Sequence, residues 1–143
     1  MPILNYTSEV GASKTIAQIY EIVAESGASE IGFEHSNGSA VAIKFCILHE
    51  KQTLWFRLAP NAEGVLRAME RDGTPARYQK TEQAHRVSWR ILKDVIEAQM
   101  AMFQANQAEL AEVFLPFAID GNGKTVYQVF TENRQKALKA KDT

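Results

Sequence analysis

The chain has 143 residues, a formal charge of −1 and 45% hydrophobic residues, the length of a single domain with enough apolar content to bury a core unaided by metal or disulfide. Its one cysteine, Cys46, excludes an intrachain disulfide framework and points to a reducing compartment. No apolar run approaches the ~18 residues of a membrane span, and the opening residues lack the basic and apolar regions of a signal peptide, so a soluble, cytoplasmic protein is expected.

Residues 2–10 read as extended or irregular, and Gly11 ends them. Ser13 has the character of an N-cap. Ile16, Ile19, Tyr20 and Val23 follow at helical spacing and Gly27 supplies a stop, which predicts a first helix. The period then changes to two. Ile31, Phe33 and His35 alternate with polar or small residues, and Asn37-Gly38 is a hairpin signal because both central positions of a type I′ turn need φ > 0. Val41, Ile43, Phe45 and Ile47 make one face of a second strand, and a polar turn at residues 49–51 leads to a third. There Leu54, Phe56 and Leu58 share a face, so Trp55 and Arg57 take the other. The predicted fold is α+β: an N-terminal helix, a three-stranded antiparallel sheet, a short helix and a long C-terminal helix, in one domain over residues 1–143.

Pro60-Asn61 ends the sheet. Val65, Leu66 and Met69 mark a short helix over residues 62–71, stopped by Asp72-Gly73, and residues 74–80 form a loop. Thr81 caps the longest helix, which runs at least to Phe103 and, after a break near Asn106, onward to Phe114. Two apolar seams run along it. One is Ala84, Ser88, Ile91, Val95, Ala98 and Met102; the other is Trp89, Leu92, Ile96, Gln99 and Phe103. One seam suffices for packing on a sheet, so the second predicts cover by the C-terminal segment or by another subunit. Gly121-Asn122-Gly123 reads as a turn, and Val126, Tyr127 and Phe130 favour a short helix. Residues 136–143 are polar and expected to fray.

Motifs for bond-making chemistry are missing from the pattern. Cys46 lies mid-strand, where a buried thiol is ordinary core. His35, His49 and His85 form no metal-type spacing and read as surface or partly satisfied histidines. Gly-Lys-Thr at residues 123–125 lacks the glycine that a phosphate loop places four intervening residues before it, because that position is Ala118 and no apolar strand leads in; the segment reads as a turn. A non-enzymatic protein is expected, without catalytic residue, metal or cofactor.

The arginines are the informative feature. Six of the seven fall between Arg57 and Arg90, and the segment from Arg57 to Lys93 carries eight basic and four acidic residues. Arg86, Arg90, Lys93 and Glu97 share one helix face, and Arg67 and Arg71 share another. Arg77 and Tyr78 sit in the loop between them. Planar, permanently charged guanidiniums bind phosphate bidentately, and basic residues interleaved with aromatics are the footprint of nucleotide or nucleic-acid binding. Overall charge of −1 disfavours broad attraction to duplex DNA, leaving a small pocket for a phosphate-bearing ligand. The bland alternative is solvation, with Arg90 pairing Asp94 at i+4.

The opening Tyr6-Thr7-Ser8-Glu9-Val10 with Ser13-Lys14-Thr15-Ile16 resembles a family of small proteins encoded by bacteriophages and integrated mobile elements. Phe56-Arg57-Leu58, the helix from His85 to Asp94 with Glu97-Ala98-Gln99, and Val113-Phe114-Leu115-Pro116 resemble it too. A looser likeness in size, architecture and arginine-rich surface links the chain to the Thoeris anti-defence sponges. Those are oligomers that hold cyclic nucleotide or cyclic ADP-ribose signals in arginine- and aromatic-lined pockets. No motif is shared with them, so no residue role is carried over. The resemblance implies a homo-oligomer in the cytoplasm of a bacterial host that sequesters a phosphate-bearing nucleotide signal. Arg57, Arg77, Arg86 and Arg90 are the expected phosphate contacts. Trp55 or Tyr78 is the expected stacking partner, with Trp89 assigned to the core. Two other classes stay open: a single-stranded nucleic-acid-binding accessory of phage replication, and a protein-interaction inhibitor of a host defence factor.

Overall fold

A computed structural model describes residues 2–141. Helix α1 (Ala12–Glu25) leads into an antiparallel sheet of β1 (Ala28–Ser36), β2 (Ser39–His49) and β3 (Gln52–Leu58), in that spatial order. Helices α2 (Ala62–Asp72), α3 (Thr81–Gln104), α4 (Leu110–Phe114) and α5 (Val126–Lys141) follow, with single 3-10 turns at Ala76–Tyr78 and Leu115–Phe117. The α+β fold is the one the pattern predicts.

Local chemistry explains the boundaries. Gly11, not Ser13, occupies the N-cap of α1, and its carbonyl accepts from the amides of Lys14 and Thr15. At the far end the Ser26 hydroxyl donates to the Ile22 carbonyl, and Gly27 at φ +100° turns the chain into β1. Asn37 (φ 52°) and Gly38 (φ 80°) make the expected hairpin turn. Glu50 (φ 50°) and Lys51 (φ 68°) make the second one without a glycine.

The sheet packs one face against α1 and α3. Ile43, Phe45 and Ile47 of β2 and Phe56 and Leu58 of β3 are buried there with Ile19, Val23, Trp89, Ile96, Met100, Leu110 and Phe114. Phe45, Phe56 and Phe114 form a ring cluster with centroids 5.4 to 5.9 Å apart. Trp89 is fully buried and its Nε1 donates to the Ala40 carbonyl at 3.3 Å, so it is core as expected. Tyr20, placed on the apolar face of α1 by spacing, is instead 51% exposed.

The two seams of α3 have a cause that spacing alone misassigns. Trp89, Ile96 and Met100 face the sheet, whereas Ala84 and Val87 pack with Val65 and Met69 of α2 beneath Ile3 and Tyr6. The N-terminal segment is tied across this second layer. Gln83 Nε2 donates to the carbonyls of Tyr6 and Ser8, and Asn5 Nδ2 donates to Asp94. Cover therefore comes chiefly from α2 and residues 3–6, although Val95 and Met102 stay 39% and 41% exposed.

Beyond α4, the Ile119 amide donates to the Trp55 carbonyl and Ala118 bridges Phe56, which partly covers the edge of β3. Asp120 then accepts from the amides of Asn122 and Lys124 in a tight turn. Thr125 and Gln128 exchange side-chain-to-backbone bonds in a capping box that starts α5. The helix runs through Lys141, further than the short helix the spacing predicts; Asp142 and Thr143 lie outside the described residues.

Candidate functional site

The arginines do not meet in one pocket. Arg57 and Trp55 alternate along β3 with Phe56 and Leu58, which face the core with Trp89. They therefore lie on the outer face of the sheet, while α3, bearing Arg86 and Arg90, packs on the inner face. A ligand on one side cannot reach the other. Of the four expected phosphate contacts, Arg57 is thus set apart from Arg86 and Arg90: alternation fixes the face of a strand residue but not which helix lies behind it.

Each arginine from Arg57 to Arg90 has its own local partner. Arg57 Nε donates to Glu34 Oε2 at 2.7 Å, and that bond holds the Glu34 carboxyl below its usual range. Arg77 lies 4.7 Å from the ring centroid of Tyr78, whose edge meets Tyr6. Arg67 approaches Glu63 with both side chains exposed, and the exposed Arg71 pairs with the largely buried carboxylate of Asp72. Arg90 donates to Gln18 of α1, so it fastens two helices, and its expected partner Asp94 accepts from Asn5 instead. Lys93 pairs with Glu97 at 2.6 Å, as i, i+4 spacing predicts.

On the outer face, Trp55 is 38% exposed beside Lys44, Gly32 and Glu30, over a shallow hollow of about 490 Å³. Cys46 is buried in that face and contacts the Ser29 hydroxyl at 3.1 Å. Glu30 and Glu34 balance Lys44 and Arg57, so the face has an aromatic platform without the positive field that a nucleic-acid strand requires.

A different set of residues converges on the inner side. A hollow of about 360 Å³ is lined by Ala12, Ala62 and Thr81, the first residues of α1, α2 and α3, together with Ser39, His85 and Arg86. Each helix start carries roughly half a positive charge in its unsatisfied N–H groups. Neither Gly11 nor Lys80 caps its helix with a side chain, and the first turn of α1 holds no acid. The start of α2 is satisfied in part by Asn61, whose Oδ1 accepts from the Gly64 amide at 2.9 Å. Glu82 stands at the same rim and offsets some of this positive potential.

Arg86 is held in position here. Its Nη2 and Nε donate to Gln83 Oε1 at 2.6 and 3.0 Å. Gln83 in turn is fastened to the Tyr6 and Ser8 carbonyls. The N-terminal segment thus fixes the guanidinium through one buried amide, and Nη1 makes no bond among the described residues. An adjoining hollow of about 430 Å³ shares Ala12, Ser39 and His85 and adds Ser13, Ile16, Phe33 and His35.

Of the expected site residues, only Arg86 belongs to this groove. His85, read from spacing as a surface or partly satisfied histidine, lines it, and His35, read in the same way, lines the adjoining hollow. Their sequence neighbourhoods carried no signal, because they come from a strand end and a helix face 50 residues apart. Among the described residues no cluster of three metal-type ligands occurs, and no helix is long and apolar enough to cross a membrane. Comparison with protein-family models, curated proteins and solved structures gave no match.

Proposed function

We propose that this protein binds a small phosphate-bearing molecule in the groove at the starts of α1, α2 and α3, and acts by holding that ligand. The observation that carries the reading is the convergence of three helix amino ends with Arg86 and His85 on one concave hollow. Anions are stabilised at such ends by aligned N–H groups and by the helix dipole, and Arg86 adds a charge-assisted donor. The ligand class agrees with the nucleotide-sequestering role that the resemblance implies for a phage or mobile-element protein. Self-association belongs to the same proposal. Tyr127 and Phe130 on α5 are 61% and 59% exposed, next to Leu115 at 51%, and such surface is typically covered by a partner.

The exposed Trp55 favours a second reading, single-strand binding on the outer face of the sheet. Charge balance there makes it the weaker of the two. Thermal melting against inorganic phosphate, mononucleotides and a short oligonucleotide separates them. A phosphate-type ligand at a hundred times its Kd adds about 2.7 kcal/mol of stability. Raised melting with mononucleotides and not with the oligonucleotide supports the groove. Stabilisation by the oligonucleotide alone, lost on Trp55→Ala, refutes it.

A further inference from the structure

We infer that the second hollow takes a planar heteroaromatic ring, which makes the ligand a nucleoside monophosphate. This rests on the reading of the first hollow as a phosphate site and adds what the rest of the ligand must be. The two hollows adjoin through Ala12, Ser39 and His85, which line both. One ligand that fills them needs an anionic end and, one short spacer away, a different chemistry.

That chemistry follows from the walls. Ile16 and the Phe33 ring supply apolar surface, and Phe33 is oriented by contact with Trp89 at 6.4 Å between centroids and 54° between planes. A ring held in this way offers a stacking surface, the commonest sequence-tolerant contact for a base. Polar groups stand around it: the hydroxyls of Ser13 and Ser39 and the imidazoles of His35 and His85. Hydroxyls and imidazoles together offer both donors and acceptors, which matches the mixed donors and acceptors on the edge of a base. An acyl chain in the same place leaves those four side chains without partners, an unfavourable outcome. A bare sugar phosphate leaves the Phe33 surface uncovered. The volume, about 430 Å³, lies within the range of small-molecule pockets.

The test is calorimetric titration of the wild-type chain, at one salt concentration, with inorganic phosphate, ribose 5-phosphate, AMP and UMP. The expected result is that AMP binds about tenfold tighter than ribose 5-phosphate, the size of one stacking contact. Ser13→Trp, an exposed position that lines only the second hollow, is expected to reduce AMP to the affinity of ribose 5-phosphate and leave the latter unchanged. His35→Ala, at the exposed end of β1, is expected to narrow the gap without altering ribose 5-phosphate. Equal binding of AMP and ribose 5-phosphate by the wild type overturns the ring site while sparing the phosphate site. A wild-type preference for AMP that survives both substitutions also overturns it, since the ring then lies elsewhere. If none of the four compounds binds, the phosphate reading fails and the ring site falls with it.

Discussion

Arg86→Gln and Arg57→Gln are the same chemical change on opposite sides of the sheet, and they are expected to have opposite consequences. Arg86 Nη2 and Nε donate to Gln83 Oε1 at 2.6 and 3.0 Å, and Gln83 is only 6% exposed. Glutamine at position 86 keeps an N–H for that oxygen and removes the charge. The fold is therefore expected to lose less than about 1 kcal/mol, the net worth of an ordinary hydrogen bond. A phosphate in the groove loses a charge-assisted contact of about 1.5–3 kcal/mol, roughly tenfold to hundredfold in affinity. Arg57→Gln removes a partly exposed pair with Glu34, worth about 0.2–1 kcal/mol of stability, and leaves ligand affinity unchanged. Calorimetry with inorganic phosphate and AMP reads the affinity, and thermal melting reads the fold. The reasoning is refuted if Arg86→Gln binds as tightly as the wild type. It is equally refuted if Arg57→Gln weakens binding by as much, because the ligand then sits on the outer face.

The Glu34–Arg57 bond also predicts a pH dependence. The folded-state Glu34 carboxyl lies below its ordinary value because Arg57 donates to it. Its stabilisation is thus present above the unfolded pKa, near 4.3, and is lost as pH falls through the folded value. Denaturation curves at pH 7 and pH 3 should differ by a smaller increment in Arg57→Gln than in the wild type; an unchanged increment rejects this account. Thr125→Ala removes one half of the capping box with Gln128 and should cost about 1 kcal/mol, read as faster amide exchange in α5 with β2 unaffected. Equal exchange in both proteins shows that the cap is idle. Light scattering at micromolar concentration should report an oligomer for the wild type and a smaller species for Tyr127→Ser with Phe130→Ser. A wild-type monomer, or a double variant of unchanged mass, removes α5 as the interface.

Much of the fold was legible in the chain because its causes are local. The period of two from Ile31 to Leu58, the φ > 0 pair at Asn37-Gly38 and the αL stop at Gly73 depend on the sterics of a few neighbouring residues. Alternation likewise placed Trp55 and Arg57 opposite Phe56 and Leu58. The capping box at Thr125 and Gln128 was also written in four consecutive residues, although apolar spacing alone under-read the length of α5. What only the tertiary structure decided is which distant segments share a space. Helix α2 and residues 3–6 cover the second seam of α3, a role that periodicity assigned to the C-terminal segment or another subunit. Arg90 is taken up by Gln18 rather than Asp94, since a partner 72 residues away lies outside any helical repeat. The groove is the furthest case. Ala12, Ser39, Ala62 and His85 have no common motif, and their juxtaposition exists only once α1, the β1–β2 hairpin, α2 and α3 have packed. Burial of apolar faces brings those elements together, and it acts without regard to the polar groups that the packed ends then leave facing one another.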